Sequence, residues 1–236
     1  DPIDDTIRQR RALMSQADAF EAVHVPTTLD LLEPARDRFR YQEAFVLQTI
    51  LALRRKAMAA SDATARPGSD DGLARAIEQR LPFALTEGQQ NAVAEIRGDL
   101  ARPAPMQRLL HGEVGAGKTL VALLAMATVV DSGGQAVLLA PTEVLAAQHH
   151  ASISALLGEL AEAGTLLGGS TGTQVVLLTG SASAASRREA LLKIVSGEAG
   201  IVVGTHALLN EAVQFADLGL VVVDEQHRFG VEQRAA

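Results

Sequence analysis

The chain has 236 residues, of which 47% are hydrophobic, and its formal net charge is −7. A chain of this length and composition buries a sizeable core, which excludes an intrinsically disordered protein. It contains no cysteine, so disulfides and cysteine-ligated zinc sites are excluded, and a reducing cytoplasm is the compartment we expect. The acidic balance argues against a free-standing nucleic-acid-binding protein, because such proteins gain affinity by replacing counterions with Lys and Arg.

The first part of the chain is predicted to be helical. Residues 1–60 form the predicted helical leader, with apolar positions between charges over 36–56 and with Pro26 and Pro34 interrupting the pattern upstream. The following segment, 61–72, is polar, contains both Pro and Gly, and is predicted to be a flexible connector. The chain starts without Met and stops without a helix-ending residue, so we expect it to be part of a longer protein.

Residues 73–236 show the alternation of strands and helices that is typical of an α/β domain with a mostly parallel sheet flanked by helices. The predicted strands are 106–110, 136–140, 174–178, 201–203 and 218–223, and the predicted helices are 118–130, 144–162, 186–196 and 206–213. The longest apolar run, 120–130, is shorter than the about 20 residues that a bilayer-spanning helix requires, so no membrane segment is predicted. Ligands of such sheets bind at the carboxyl ends of the strands.

A glycine-rich loop lies between the predicted strand 106–110 and the predicted helix 118–130. It reads GEVGAGKT and supplies the predicted phosphate-binding residues Gly112, Val114, Gly115, Ala116, Gly117, Lys118 and Thr119. Glycines allow backbone N–H groups to face phosphates, and the helix start adds the positive end of its dipole. Lys118 is expected to reach the β- and γ-phosphates of ATP, and Thr119 to bind Mg²⁺. The alternative is a glycine-rich turn that binds nothing.

Two adjacent carboxylates follow the apolar run 218–223. We assign Asp224 to the Mg²⁺ shell and Glu225 to the general base that activates the attacking water. The alternative for such a pair is a solvated acidic turn after a strand. Together with the glycine-rich loop, the two carboxylates predict a nucleoside triphosphatase whose catalytic residues are Lys118, Asp224 and Glu225.

The order and wording of several motifs resemble those of superfamily 2 helicases, and most closely the RecG family of branch-migrating DNA helicases. The motifs are LPFALT (81–86), the glycine-rich loop, APTEVLA (140–146), LTGS (178–181), GTHALL (204–209) and DEQHRFG (224–230). The resemblance implies a RecA-like P-loop domain, the first of two motor lobes. The nearest alternative is the transcription-repair coupling translocase, which shares this motor.

The resemblance also implies a site for the adenine base. Gln89 matches the glutamine that pairs with adenine, since an amide offers both a donor and an acceptor. Phe83 matches the aromatic residue that packs on the ring. Without the residues around it, Gln89 would be interpreted equally well as an ordinary surface glutamine.

Four residues resemble the contacts that this lobe makes with the DNA backbone: Thr142, Gly180, Thr205 and His206. Hydroxyl and N–H groups at helix starts suit phosphates and carry no sequence information. His206 could instead cap its own helix. The chain departs from the family by placing 182–185 (ASAA), rather than lysines, after Ser181.

Gln226 and His227 resemble the residues that couple nucleotide state to DNA binding in this family. Two further histidines, His149 and His150, are adjacent on a predicted helix and point about 100° apart, so they do not suit one metal ion. We interpret both as surface residues.

By resemblance, the whole protein is expected to hydrolyse ATP with Mg²⁺, to translocate on double-stranded DNA, and to remodel replication forks and Holliday junctions in recombination and repair. Its wedge domain and second RecA-like lobe are expected outside this chain, so the chain alone should be weakly active or inactive. A hypothesis from another class is a nucleotide-gated interaction module without turnover, although such a module would not need Glu225.

Overall fold

The computed structural model describes residues 1–162, 171–210 and 213–225, and the chain divides into two compact units, Asp1–Ser61 and Asp62–Ala236. Within the described ranges, no helix combines the length and the apolar character needed to cross a membrane. The assignment of 1–60 to a leader and of 73–236 to a first motor lobe stays a prediction.

The first unit contains three α-helices, α1 (Asp5–Arg10), α2 (Gln16–His24) and α3 (Leu32–Ala59), with a 3-10 turn at Leu29–Leu31. Small residues of α2 and α3 form its core: Ala19, Ala22 and Ala35. We expected both prolines to interrupt helices. Pro34 does not, because it lies in the first turn of α3, where its missing N–H would have no helical partner.

The second unit is an α/β domain. Its helices are α4 (Leu73–Arg80), α5 (Glu87–Leu100), α6 (Lys118–Asp131), α7 (Glu143–Leu157) and α8 (Ala184–Val195), with 3-10 turns at Gly158–Glu162 and His206–Leu209. Its strands are β1 (Gln135–Leu139), β2 (Val175–Leu178), β3 (Ile201–Gly204) and β4 (Leu218–Val223). The predicted helix 206–213 is therefore shorter, and residues 211–212 lie outside the described part of the chain.

The four strands form one sheet in the order β2-β3-β1-β4, and every pairing is parallel, as predicted. Helices cover both faces of this sheet. In β1, Ala136 and Leu138 pack with α4 to α7, whereas Val137 and Leu139 pack with α8. The alternation follows from the two-residue period of a strand. Because all strands run in the same direction, their carboxyl ends meet at one edge.

The predicted strand 106–110 is wrong: these residues form no strand, and β4 pairs only with β1 in the described sheet. Ion pairs to α5 hold the segment instead. Arg108 contacts Glu95 at 2.6 Å and Asp99 at 2.5 Å. Leu109 is 81% exposed, and of this apolar run only Met106 packs against the core.

The segment that we predicted to be a flexible connector makes specific contacts within the second unit. Arg66 is buried, and its guanidinium donates to Asp217 at 2.6 Å and to the Ser132 carbonyl at 3.3 Å. The N–H of Gly68 donates to the Ser132 hydroxyl at 2.9 Å. The segment is irregular, as its Pro and Gly residues predict, but hydrogen bonds anchor it to α6 and to the turn before β4.

Candidate functional site

The glycine-rich loop leads directly into α6, and two glycines shape its turn. Gly115 and Gly117 have φ angles of +83° and +77°, a conformation that side chains disfavour. Gly117 is the residue before the first turn of α6, which begins at Lys118. The loop therefore presents backbone N–H groups at a helix N-terminus, the geometry that favours an anion.

Lys118 folds back over the loop. Its Nζ donates to the carbonyl oxygens of Gly112 and Glu113, both at 2.9 Å. These carbonyls hold the ammonium group beside the loop, where a phosphate oxygen could replace them as acceptor. The side chain of Val114, another predicted loop residue, is fully exposed to solvent.

Gln89 joins α5 to this loop. Its Oε1 accepts from the N–H of Thr86 at 3.0 Å and completes a capping box at the start of α5. Its Nε2 donates to the Ala116 carbonyl at 3.0 Å. Both polar groups of the amide thus have partners within the protein, so adenine recognition by Gln89 stays a prediction that would require these bonds to rearrange.

Phe83 lines a cavity that Gln89 does not line. Its ring is 54% exposed and lines a cavity of about 340 Å³ between α4 and α5. Gln90, and not Gln89, lines the same cavity. The two residues that the resemblance assigns to adenine therefore face different surroundings, and a ring contact by Phe83 stays a prediction.

Asp224 and Glu225 lie at the carboxyl end of β4. The N–H of Asp224 donates to the Leu139 carbonyl at 2.9 Å, which continues the β1–β4 ladder by one residue. Glu225 follows with a φ of +49°, an uncommon value for a residue with a side chain. Such conformations cost energy that the surrounding structure must offset, and they are found most often at functional sites.

An unexpected partner contacts Asp224. The Nε2 of His149, from α7, lies 2.7 Å from its Oδ2, and both side chains are partly buried. We interpreted His149 and His150 as surface residues, and this is wrong. His150 is also partly buried, with its Nε2 3.4 Å from the Val175 carbonyl. Helical periodicity alone could not reveal these contacts, because the partners lie 75 and 25 residues away in sequence.

The oxygen donors that we predicted for Mg²⁺ fit that ion. Thr119 offers a hydroxyl and Asp224 a carboxylate, both hard ligands of the kind that Mg²⁺ prefers. The described residues contain no cluster of three or more His, Asp and Glu side chains suited to a metal ion. Mg²⁺ here would therefore take its remaining ligands from phosphate oxygens and water, as it does in other phosphate sites.

A second group of predicted residues lies at the start of α7. The Thr142 hydroxyl accepts from the Leu145 N–H at 3.3 Å and caps the helix. Next to it, Glu143 accepts from Ser181 twice: Oε1 from the N–H at 2.9 Å and Oε2 from the hydroxyl at 2.5 Å. The structure thus brings Thr142 and Gly180, which precedes Ser181, to one edge.

The sequence did not indicate a role for Glu143, although its carboxylate is central to this edge. Hydrogen bonds from the Ser181 hydroxyl, then from the Ser181 and Gly180 N–H groups, hold the pKa of Glu143 below its usual value, and the nearby His206 acts in the same direction. The sequence feature that could have pointed to Glu143 is its position directly after a helix cap, where acidic residues are common.

The two remaining predicted DNA contacts differ in exposure. Thr205 is only 1% exposed, and its hydroxyl accepts from the Ala207 N–H at 3.5 Å. It therefore caps the 3-10 turn, a role that we had considered for His206. His206 itself is exposed. Gln226 and His227, the predicted coupling residues, lie outside the described residues.

Comparisons with known proteins identify the family of this chain. The DEAD/DEAH box helicase family matches residues 86–236. The chain is 48% identical over 234 residues to the ATP-dependent DNA helicase RecG of Mycobacterium tuberculosis. It is also 40% identical over 235 residues to the RecG proteins of Synechocystis sp. and of Bacillus subtilis.

The matches cover 99% to 100% of this chain but only 27% to 33% of those relatives. A solved structure of RecG bound to a three-way DNA junction superposes with a TM-score of 0.82 at 35% identity, covering 97% of this chain and 30% of that one. The resemblance to RecG that the motifs predicted is thus confirmed. Since the family match extends over more than half of the sequence, the chain belongs to the DEAD/DEAH box helicase family.

Proposed function

We propose that this chain is the ATP-binding lobe of a DNA translocase and helicase that remodels branched DNA, such as replication forks and Holliday junctions, in recombination and repair. The observation that carries the proposal is the glycine-rich loop at the start of α6, with Lys118 held beside it. The names of the relatives favour an ATP-dependent DNA helicase, and the three-way DNA junction in the similar solved structure favours branched DNA as the substrate.

The predicted residues of the glycine-rich loop and of the end of β4 have defined tasks in this proposal. Lys118 exchanges its carbonyl partners for phosphate oxygens of ATP, and the N–H groups of the loop bind the same anion. Glu225 accepts a proton from the attacking water. Thr119 and Asp224 would hold Mg²⁺, which would supply positive charge against the phosphate oxygens.

The edge at the start of α7 is the proposed DNA contact. In this proposal Thr142, Gly180 and His206 bind backbone phosphates without sequence readout. The chain spans about a third of the length of its curated relatives. We therefore place the second RecA-like lobe and a wedge domain elsewhere in a longer, cytoplasmic protein, and expect the lobe alone to turn over slowly because it lacks arginine fingers from a second lobe.

The test separates nucleotide binding from hydrolysis in the longer protein. Glu225→Gln should abolish ATP turnover while leaving ATP binding intact, and Lys118→Ala should weaken binding itself. Unchanged ATP hydrolysis in Glu225→Gln would show that Glu225 is not the general base. If the unaltered protein binds ATP but never hydrolyses it, with or without DNA, it is a nucleotide-gated interaction module instead.

A further inference from the structure

The proposed function leaves the contact between His149 and Asp224 unexplained. The contact joins the middle of α7 to the end of β4 across 75 residues of sequence, with 2.7 Å between His149 Nε2 and Asp224 Oδ2. The two side chains are 16% and 33% exposed, so water competes only partly for the hydrogen bond.

The chemistry of the pair fixes which atom is the donor. An ionised carboxylate only accepts hydrogen bonds, so His149 must carry a hydrogen on Nε2 and donate it to Asp224. A single donor on Oδ2 limits rotation of the carboxylate about its last side-chain bond. It therefore orders Asp224 before any ligand arrives.

The helix that carries His149 is itself well fixed. Its first turn is held by the Thr142 cap and by the bonds from Ser181 to Glu143. Further along, the helix buries three residues in the core on the face of the sheet that α4 to α7 cover: Ala146, Ile153 and Leu157. A side chain on such a helix is a more precise support than one on a loop.

We propose that His149 is a positioning residue for Asp224, which orients this carboxylate for the Mg²⁺ that accompanies the nucleotide. The inference rests on the proposed function, because it requires Asp224 to serve the metal. It predicts that loss of the His149 hydrogen bond weakens the metal-dependent part of nucleotide affinity and leaves the metal-free part unchanged. Supporting hydrogen bonds of this kind change metal affinity by about 10- to 100-fold when they are removed.

The experiment compares two side chains of similar size at position 149. His149→Leu removes the donor, whereas His149→Gln retains an N–H group at the end of the side chain. Binding of fluorescent ADP is titrated in excess Mg²⁺ and again in EDTA, which measures affinity without turnover. His150→Ala is the matched control, since it removes the neighbouring imidazole on the same helix.

We expect the Mg²⁺-dependent gain in ADP affinity to fall about tenfold or more in His149→Leu. It should be largely retained in His149→Gln and unchanged in His150→Ala, and the EDTA affinity should be the same in all four proteins. Equal Mg²⁺-dependent gains in ADP affinity in His149→Leu and His149→Gln would overturn the proposal, because the gain would then not depend on an N–H donor at position 149.

Failure of the proposed function would look different. In that case the unaltered protein itself would show no ADP binding that Lys118→Ala removes. Circular dichroism and thermal unfolding of each variant establish that the compared proteins are folded. If His149→Leu does not fold, the test uses His149→Gln. A Mg²⁺-dependent gain in ADP affinity equal to that of the unaltered protein then supports the proposal. A gain as small as that of Asp224→Ala overturns it.

Discussion

The amide nitrogen of Gln89 donates to the carbonyl of Ala116 at 3.0 Å and so ties the start of α5 to the glycine-rich loop. The same side chain closes the capping box with Thr86. One residue therefore stabilises a helix start and the loop that we propose binds phosphate. Any movement of the loop on nucleotide binding must either carry Gln89 with it or break this bond.

Replacing Gln89 should affect both elements. We expect Gln89→Ala to lower the free energy of unfolding by about 1 kcal/mol, since each lost hydrogen bond contributes about 0.5–1.5 kcal/mol and part is recovered by water. Nucleotide affinity should also fall, because the loop loses a support. Urea unfolding and nucleotide titration measure the two effects.

Gln90→Ala is the matched control for this change, because Gln90 lies on the same helix and its amide donates to the Leu85 carbonyl at 3.0 Å, not to the Ala116 carbonyl. It should leave nucleotide affinity unchanged. An equal loss of affinity in both variants would mean that general helix stability, and not the bond to Ala116, matters.

Gly117 should not tolerate a side chain. An alanine there would have to keep a φ of +77°, which costs about 1–2 kcal/mol, and its Cβ would lie 2.4 Å from Gln89 Nε2. We expect Gly117→Ala to destabilise the domain and to abolish nucleotide binding, as measured by thermal unfolding and by titration. Combining it with Gln89→Ala should relieve the clash but not the backbone strain.

Gly98, in α5, is the contrasting glycine, since an added Cβ there meets nothing within 4 Å. Gly98→Ala should stabilise the domain by up to about 1 kcal/mol, the usual gain in a helix interior. If Gly98→Ala destabilises the domain as much as Gly117→Ala does, the effect of Gly117→Ala cannot be attributed to backbone strain in the loop.

Arg66 should be important for stability although it lies in an irregular segment. Its guanidinium is buried and binds Asp217 and the Ser132 carbonyl. We expect Arg66→Ala to lower the free energy of unfolding by about 2–3 kcal/mol, through lost hydrogen bonds and lost packing of the side-chain stem.

Arg75 provides the comparison for Arg66. It is 56% exposed in the side chain and lies 3.6 Å from Glu78, so Arg75→Ala should change stability by less than about 0.5 kcal/mol. Chemical denaturation of both variants measures the difference. If Arg66→Ala proves as mild as Arg75→Ala, the segment is not anchored in the way that the structure indicates.

The contact between Glu143 and Ser181 should depend on pH. The pKa of Glu143 is lowered in the folded chain, chiefly by the Ser181 hydroxyl. The contact therefore stabilises the fold at pH values above the ordinary glutamate pKa of about 4.3 and is lost as the pH falls through the lowered value.

An NMR titration of the Glu143 carboxyl tests this directly. Ser181→Ala should raise the pKa of Glu143 toward its ordinary value, but not fully, because the backbone donors remain. Glu189, whose pKa is lowered by Lys193 on α8, should titrate identically in both proteins. A Glu143 titration that does not respond to Ser181→Ala would contradict the assigned cause.

The sequence predicted the four strands well, because each is a short apolar run between turn residues. It failed for 106–110, since the pattern could not show that Arg108 pairs with Glu95 and Asp99 on α5. The glycine-rich loop and the pair of carboxylates were predicted from local motifs. The contacts of His149 and Glu143 were missed, because their partners are distant in sequence and only the fold brings them close.

The most direct test of the proposed motor function is the ATPase rate with and without a synthetic replication fork, for this chain and for a protein extended at both ends to the length of its relatives. We predict strong stimulation by the fork in the extended protein only, and its loss in Lys118→Ala. An extended protein that binds ATP but shows no response to the fork would contradict the claim that this chain is one lobe of a branched-DNA motor.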